Sequence, residues 1–157
     1  MKIKTTLLKI VTLIIDAFVL FFVVMLSMSM LNAIQDHPFD LFPTIAGSTF
    51  LIVGLLVLVI SYYFFRIFKL IDNHNFFTQQ ALHFVKMVRY LFIACSIVLL
   101  AILPIAYQAA DIDDAPGLII VALGFIFFPS AIAAFISVME KILINSIQFK
   151  QENELTI

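Results

Sequence analysis

The chain has 157 residues and a mass of 17.8 kDa, and 64% of its residues are apolar while 12% are charged. A soluble domain carries roughly 25% charged residues, so this chain has about half the charge that a water-exposed surface needs, and its mean hydropathy of +1.16 indicates a membrane protein. The composition excludes a disordered chain, the single Cys95 excludes a disulfide scaffold, and the net charge of −1 provides no basic field for direct nucleic acid binding.

Four apolar stretches are long enough to cross a bilayer, which takes about 20 residues in a helix. They lie at about residues 10–31, 44–65, 88–107 and 117–138. Backbone groups in lipid must be hydrogen-bonded within their own segment, so spans of this length are helices. The sequence therefore predicts an all-α, polytopic membrane protein in which residues 1–157 form a single domain of four transmembrane helices, arranged as two hairpins.

The first span follows three lysines and contains one charged residue, Asp16. Its apolar run exceeds the roughly 7–15 residues of a cleavable signal, so we expect a retained span. A charge in hydrocarbon costs on the order of 3 kcal/mol and marks a candidate functional site. Arg89 enters the third span from the same side, and we expect it to pair with Asp16. The alternative is that Asp16 binds protons or cations, as an acidic residue does in the four-span small multidrug exporters.

Small residues recur every seven positions in the second and fourth spans. The second span has Gly47, Gly54 and Ser61, and the fourth has Gly117, Gly124 and Ala131, displaced by 70 residues. Small residues on one helix face allow close helix packing in lipid. We expect both faces at helix contacts, and the equal spacing suggests an internal duplication; chance spacing is the alternative.

The connection between the second and third spans, residues 66–87, contains a run of turn-forming residues. It predicts that the second helix ends near Leu70 or Ile71. Thr78 is a plausible N-cap for the helix that continues into the third span, with Phe76 and Phe77 packed beside it. From His83 onwards, polar residues recur every third position, which predicts a basic stripe at the membrane surface that attracts anionic lipid.

The charges are divided unequally between the two sides of the membrane. All nine Lys and Arg residues lie before the first span, in the connection between the second and third spans or the first turn of the third (Arg89), or after the fourth. The other two connections carry only acidic charges. The positive-inside rule then places both termini, the 66–87 loop and the 139–157 tail in the cytoplasm. We therefore expect a multi-pass protein of the bacterial inner membrane.

The acidic connection at 110–117 superficially resembles a calcium loop, but it has Pro116 where that loop needs glycine and Ala122 where it needs an acid. An outward-facing acidic cap is the favoured interpretation, and a loose divalent contact with Asp36 and Asp40 is left open. The three histidines lie outside the spans, so haem ligation is not expected. We find no catalytic motif and expect neither enzyme activity nor a cofactor.

Two prolines, Pro104 and Pro129, lie within spans, where proline can kink a helix.

Two short segments resemble a known family. They are Phe68-Lys-Leu-Ile71 followed by Asn75-Phe-Phe-Thr78, and the ending Lys150-Gln-Glu-Asn-Glu-Leu-Thr-Ile157. Together with four spans, these resemble the bacterial integral-membrane family known as domain of unknown function 2975. The resemblance implies no established activity. Members of that family are often encoded beside small helix-turn-helix regulators of the Cro type, which suggests a cytoplasmic regulatory protein as partner.

Three functional hypotheses follow. The first is a non-enzymatic regulatory or sensory protein in the lipid bilayer that contacts a cytoplasmic partner; its predicted surface consists of Asn75, Phe76, Phe77, Thr78, Glu152, Asn153 and Glu154. The second is a small transporter or a subunit of a homo-oligomeric channel that uses Asp16. The third is a passive structural or immunity-type membrane protein without a ligand.

Overall fold

The computed structural model describes residues 5–36, 41–73 and 75–154, and within them the side chains of 33–36, 41, 42, 153 and 154 are left out. The helices are α1 (Thr5–Asp36), α2 (Leu41–Asp72), α3 (Gln79–Leu99), α4 (Leu103–Ile112) and α5 (Gly117–Glu154), with a 3-10 turn at Leu100–Ile102 between α3 and α4. Four helical segments are long and apolar enough to cross a membrane: Thr5–Asn32, Pro43–Asp72, Gln79–Ile112 and Gly117–Glu152. These segments confirm the predicted all-α architecture with four candidate spans.

Helices α1 and α2 pack against each other in antiparallel orientation along a seam with a seven-residue period. A Cβ atom at Gly47 would lie 2.6 Å from Met30 Cγ, and one at Gly54 would overlap Val23 Cγ2. One heptad further on, Ser61 donates a hydrogen bond to Asp16. A seven-residue period keeps one helix face on its partner, and small residues let the backbones approach closely. The prediction that the small residues of the second span lie at a helix contact is therefore confirmed.

The corresponding prediction for the fourth span is wrong within the part of the chain that the structure describes. A Cβ atom at Gly117 or Gly124 would meet no other atom within 4 Å, and Ala131 is exposed. The buried face of α5 carries a different set with the same period: Ile126, Ala133, Glu140 and Ile147. Because α5 turns this face towards α3, the stripe of Gly117, Gly124 and Ala131 lies on an outer face.

A core cluster of buried residues lies at the end of the bundle where α2 ends, α3 begins and α5 ends; we call this the basic end. Nine buried residues form it: Ile60, Ile67, Ala81, Leu82, Val85, Val88, Cys95, Leu143 and Ile147. At about 1.5 Å per residue, the 38 residues of α5 extend about 57 Å, whereas the hydrocarbon core is about 30 Å thick. The cluster therefore continues past the predicted span, and α2, α3 and α5 form a packed three-helix extension.

The third span is interrupted where Pro104 stands. The chain makes a 3-10 turn at Leu100–Ile102, and Pro104 then lies in the first turn of α4. Proline lacks an N–H and its ring displaces the carbonyl four residues earlier, which here belongs to Leu100. Pro129, by contrast, lies inside the continuous helix α5. Near this proline, Ser96 Oγ donates a hydrogen bond to the Ile126 carbonyl at 3.0 Å, which ties α3 to α5.

Large apolar side chains cover the outside of the bundle. Phe18 is 70% exposed, Phe125 67% and Phe135 76%. Contiguous apolar exposure on this scale is incompatible with water as the solvent of the whole surface, and it fits a bilayer.

Candidate functional site

The connection between α2 and α3 is held by local hydrogen bonds and by the core. The Asn75 N–H donates to the Leu70 carbonyl at 2.9 Å, and the Asn75 carbonyl accepts from Thr78 Oγ1 at 2.9 Å. Thr78 caps α3, because its hydroxyl oxygen accepts the Ala81 N–H at 3.4 Å. α2 ends at Asp72, within one or two residues of the prediction. The predicted N-cap is therefore confirmed.

Phe76 and Phe77 contact each other edge to face, with ring centroids 5.6 Å apart, but they face different surroundings. Phe76 is partly buried against the core cluster. Phe77 is 50% exposed at the surface. One ring therefore anchors the connection while the other is available for contact.

Phe77 lines an open groove together with the last turns of α5. The groove has a volume of about 340 Å³ and is lined by Phe77, Ser146, Phe149 and Lys150. Phe149 is 66% exposed. The groove is the place where the predicted loop and the end of α5 meet on one surface.

The structure brings only part of the predicted partner surface into the groove. It brings Phe77 to α5, but the α5 residues in the groove precede the predicted Glu152 by up to six positions. Asn75 and Glu152 are exposed outside the groove lining, and Thr78 is engaged in capping. The side chains of Asn153 and Glu154 lie outside the described ones. Ser146 and Phe149 were missed because they precede the patterned ending, and Lys150, its first residue, was not assigned to the predicted surface.

A buried ion cluster ties α3 to α5 next to the core. Arg89 Nη1 lies 2.7 Å from Glu140 Oε2, and Lys86 Nζ lies 3.9 Å from Glu140 Oε1. The Glu140 side chain is 9% exposed, that of Arg89 22% and that of Lys86 43%. Arg89 also lies over the ring of Tyr90, 4.8 Å from its centroid. The cluster therefore joins two helices through one nearly buried carboxylate.

This cluster corrects one prediction. Arg89 pairs with Glu140 instead of Asp16, because Arg89 faces α5 whereas Asp16 lies in the α1–α2 seam. Of the predicted basic stripe, Arg89 is half-buried against Glu140, whereas His83 and Lys86 keep exposed surface, and contact of the stripe with anionic lipid stays a prediction.

The sequence did contain a signal for Glu140. It occupies the same heptad position as Ile126, Ala133 and Ile147, all of which are buried. An acidic residue on an apolar stripe requires a cationic partner, because a buried unpaired charge is strongly unfavourable. Glu140 lies two residues beyond the fourth apolar stretch, 117–138, so it did not stand out as a charge within a span.

Asp16 has a single polar partner in the described part of the chain. Ser61 Oγ donates to Asp16 Oδ2 at 2.6 Å, and Ser61 is buried. The other oxygen, Oδ1, is buried and has no hydrogen-bond partner. Among the described residues, no basic side chain forms an ion pair with Asp16.

Asp72 closes the α1–α2 seam at the basic end, beyond the apolar stretch 44–65. It accepts hydrogen bonds from Lys9 Nζ and Thr5 Oγ1. These hydrogen bonds, the one from Lys9 first, hold the pKa of Asp72 below its ordinary value. A lowered folded-state pKa stabilises the folded chain above the ordinary carboxyl pKa, and this contribution is lost as the pH falls through the lowered value. The carboxylate of Asp72 is therefore ionised at neutral pH.

The opposite end carries the turn between α4 and α5. Asp114 has a φ of 50°, a left-handed conformation that Asp tolerates better than most residues. A second open pocket, of about 220 Å³, is lined by Tyr107, Ala110, Asp111, Asp114, Pro116 and Ile119. The described residues contain no group of three or more His, Cys, Asp or Glu arranged for a metal ion. The divalent contact left open with Asp36 and Asp40 falls outside the described side chains.

Comparisons with known proteins agree with the resemblance seen in the sequence. The profile of the family described as "Protein of unknown function (DUF2975)" matches residues 50–157. The chain is 35% identical over 130 residues to the uncharacterized membrane protein YoaS of Bacillus subtilis (strain 168), an alignment that covers 79% of this chain and 81% of that protein. No solved structure matches significantly.

Proposed function

The chain belongs to the DUF2975 family of membrane proteins of unknown function, and on that premise we propose that it is a non-enzymatic docking protein that binds a soluble regulatory protein. The observation that carries the proposal is the groove in which Phe77 of the α2–α3 connection meets Phe149 near the end of α5. Two segments that are far apart in the chain there form one surface outside the predicted spans.

The groove faces the cytoplasm in this proposal. Eight of the nine Lys and Arg residues belong to the three segments predicted to lie on that side, and the ninth, Arg89, lies in the first turn of the third span next to the 66–87 loop. Cations are retained on the cytoplasmic side during insertion. The protein is then a multi-pass protein of the bacterial inner membrane with both termini inside.

The proposed occupant is an amphipathic helix of a soluble protein, with apolar residues that contact Phe77 and Phe149 and acidic residues beside them. Helices bind apolar grooves through residues spaced three or four apart. Charge complementarity favours acidic flanks, because Lys69 and Lys141 are exposed at the basic end.

The fixed conformation of the α2–α3 connection also supports a docking role. Phe76 fixes the connection to the core and Thr78 caps α3, so Phe77 is presented from a packed support. A partner that binds a preorganised surface loses less conformational entropy than one that must order a loop.

Photocrosslinking in intact cells tests this function. A photoreactive phenylalanine at position 149 should capture one soluble protein, whereas the same probe at position 135 should contact lipid. Phe135 is the matched control because it lies two heptads earlier on the same helix face, within the fourth predicted span, and is similarly exposed. The captured protein, identified by mass spectrometry and purified, should bind the parent in vesicles and bind Phe77→Ser at least tenfold more weakly.

Two outcomes would contradict the proposal. If position 149 captures only lipid, the groove is a lipid contact. If it captures a second copy of this chain, the basic end is a homo-oligomer interface instead.

A further inference from the structure

Asp16 is an acidic residue inside a predicted span whose local partners do not neutralise a negative charge. Its Oδ2 atom accepts one hydrogen bond from a neutral hydroxyl, that of Ser61. Its Oδ1 atom is buried and has no hydrogen-bond partner. Ionised carboxylates in apolar surroundings are stable only when they are paired or well hydrogen-bonded, and this one is neither.

The charged groups around the seam are already engaged elsewhere. On α1, Lys9 lies seven residues towards the basic end and binds Asp72 of α2. On α2, Arg66 donates two hydrogen bonds to the hydroxyl of Tyr62. Arg89 of α3 binds Glu140. None of these cations is an ion-pair partner of Asp16 in the described structure.

A metal cation is a poor candidate to neutralise Asp16. Na⁺ or Ca²⁺ requires several oxygen ligands, and Ca²⁺ takes six to eight. The carboxyl of Asp16 and the hydroxyl of Ser61 supply three oxygens, and the described residues hold no cluster of acidic or other metal-ligating side chains. A proton needs only one oxygen atom, and Oδ1 makes no hydrogen bond that protonation would break.

We propose that Asp16 and Ser61 form a proton-binding site between α1 and α2, and that loss of the proton loosens α1 from α2. A proton from water forms an O–H bond at Asp16 Oδ1 and removes the charge, while Ser61 continues to donate to Oδ2. Release breaks that O–H bond, returns the proton to water and leaves an uncompensated carboxylate in the seam.

Helix α1 is suited to respond to this change. It is the most exposed of the four candidate spans, because no residue in its most apolar stretch of 18 residues is buried. Its main neighbour is α2. Asp16 accepts a hydrogen bond from Ser61, Val23 packs against Gly54 and Met30 against Gly47, and Lys9 forms an ion pair with Asp72. An ion created midway along this narrow seam draws water and weakens the packing on both sides of it.

Infrared spectroscopy of the full chain in phosphatidylcholine vesicles tests the site directly. At neutral pH, where exposed carboxyls are ionised, the parent should show the C=O stretch of a protonated carboxylic acid. Asp16→Asn should lose this band, Ser61→Ala should shift its frequency because one hydrogen bond is gone, and the exposed control Asp111→Asn should keep it unchanged. Asp16→Asn is nearly isosteric and neutral, so it is expected to fold.

Distance measurements test the consequence. Spin labels replace the exposed Phe18 on α1 and Phe50 on α2, in a Cys95→Ala background that removes the single native cysteine. The parent should give one narrow distance while the band is present and a broader, longer distribution at the alkaline pH where the band is lost. Asp16→Asn should remain narrow at both pH values.

Three results would overturn the proposal. A neutral-pH spectrum of Asp16→Asn identical to that of the parent would mean that Asp16 is ionised. Loss of the band on adding NaCl at constant pH would mean that the site binds Na⁺ in place of the proton, so that it is a cation site. An unchanged distance distribution after loss of the band would reject the loosening of α1. None of these results depends on the groove at Phe77, so the two proposals fail separately.

Discussion

Glu140 is the acidic residue on which two cations of α3 converge. Its side chain is 9% exposed, so it has little water to stabilise its charge, and Arg89 at 2.7 Å is the group that compensates. Buried ion pairs are costly to break because the remaining charge is left without a partner. Lys86, at 3.9 Å and 43% exposed, keeps part of its contact with solvent and is the weaker partner.

We therefore predict that Glu140→Gln lowers the free energy of unfolding by about 3 kcal/mol, because it leaves Arg89 without its counter-ion. Lys86→Gln, the matched change at the exposed partner, should lower it by less than about 1 kcal/mol. Thermal and denaturant unfolding in detergent, followed by circular dichroism, measures both. Adding Arg89→Met to Glu140→Gln should restore much of the loss. Equal effects of the two single changes would show that the cluster is effectively solvated.

At the level of helices, the two stripes of small residues have the same spacing and opposite environments. Gly54 lies against the stiff, β-branched Val23, while Gly124 has open space beside it. Small residues in a membrane helix permit close packing but do not create it. The partner helix decides which stripe is used, and α5 packs through the Ile126, Ala133, Glu140 and Ile147 face instead.

Gly54→Ala and Gly124→Ala form a matched pair that tests this difference. The added methyl group at position 54 overlaps Val23 and should lower the free energy of unfolding by about 1–3 kcal/mol. At position 124 the same group meets nothing, and better helix propensity should stabilise by about 0.5–1 kcal/mol. The unfolding measurements described for Glu140 compare the two variants. A destabilising Gly124→Ala would mean that the outer face of α5 is covered in the membrane, for example by a second copy.

At the level of the whole molecule, the basic end combines the core cluster, the buried ion cluster and the groove. Because α5 is longer than a bilayer requires, these features extend past the predicted spans. The proposed function depends on which side of the membrane this end faces.

Thiol labelling of introduced cysteines tests the orientation. In a Cys95→Ala background, Asp113→Cys should react with a membrane-impermeant maleimide in intact cells, because the acidic connections are expected outside. Asn75→Cys should react only after the membrane is permeabilised. Both positions are exposed in the structure, so differences in local burial do not account for unequal labelling. The reverse pattern would place the groove outside and exclude a cytoplasmic partner.

The sequence alone determined the four candidate spans and the N-cap at Thr78, because these depend on length, composition and residues close together in the chain. The tertiary structure decided which residues Asp16 and Arg89 contact, that the small residues of α5 face outwards, and that Phe77 meets α5 in a groove. The physical reason is that hydropathy specifies how long a helix must be to cross the bilayer but carries no information on its rotation about its own axis. That rotation, set by packing against neighbouring helices, selects which side chains meet.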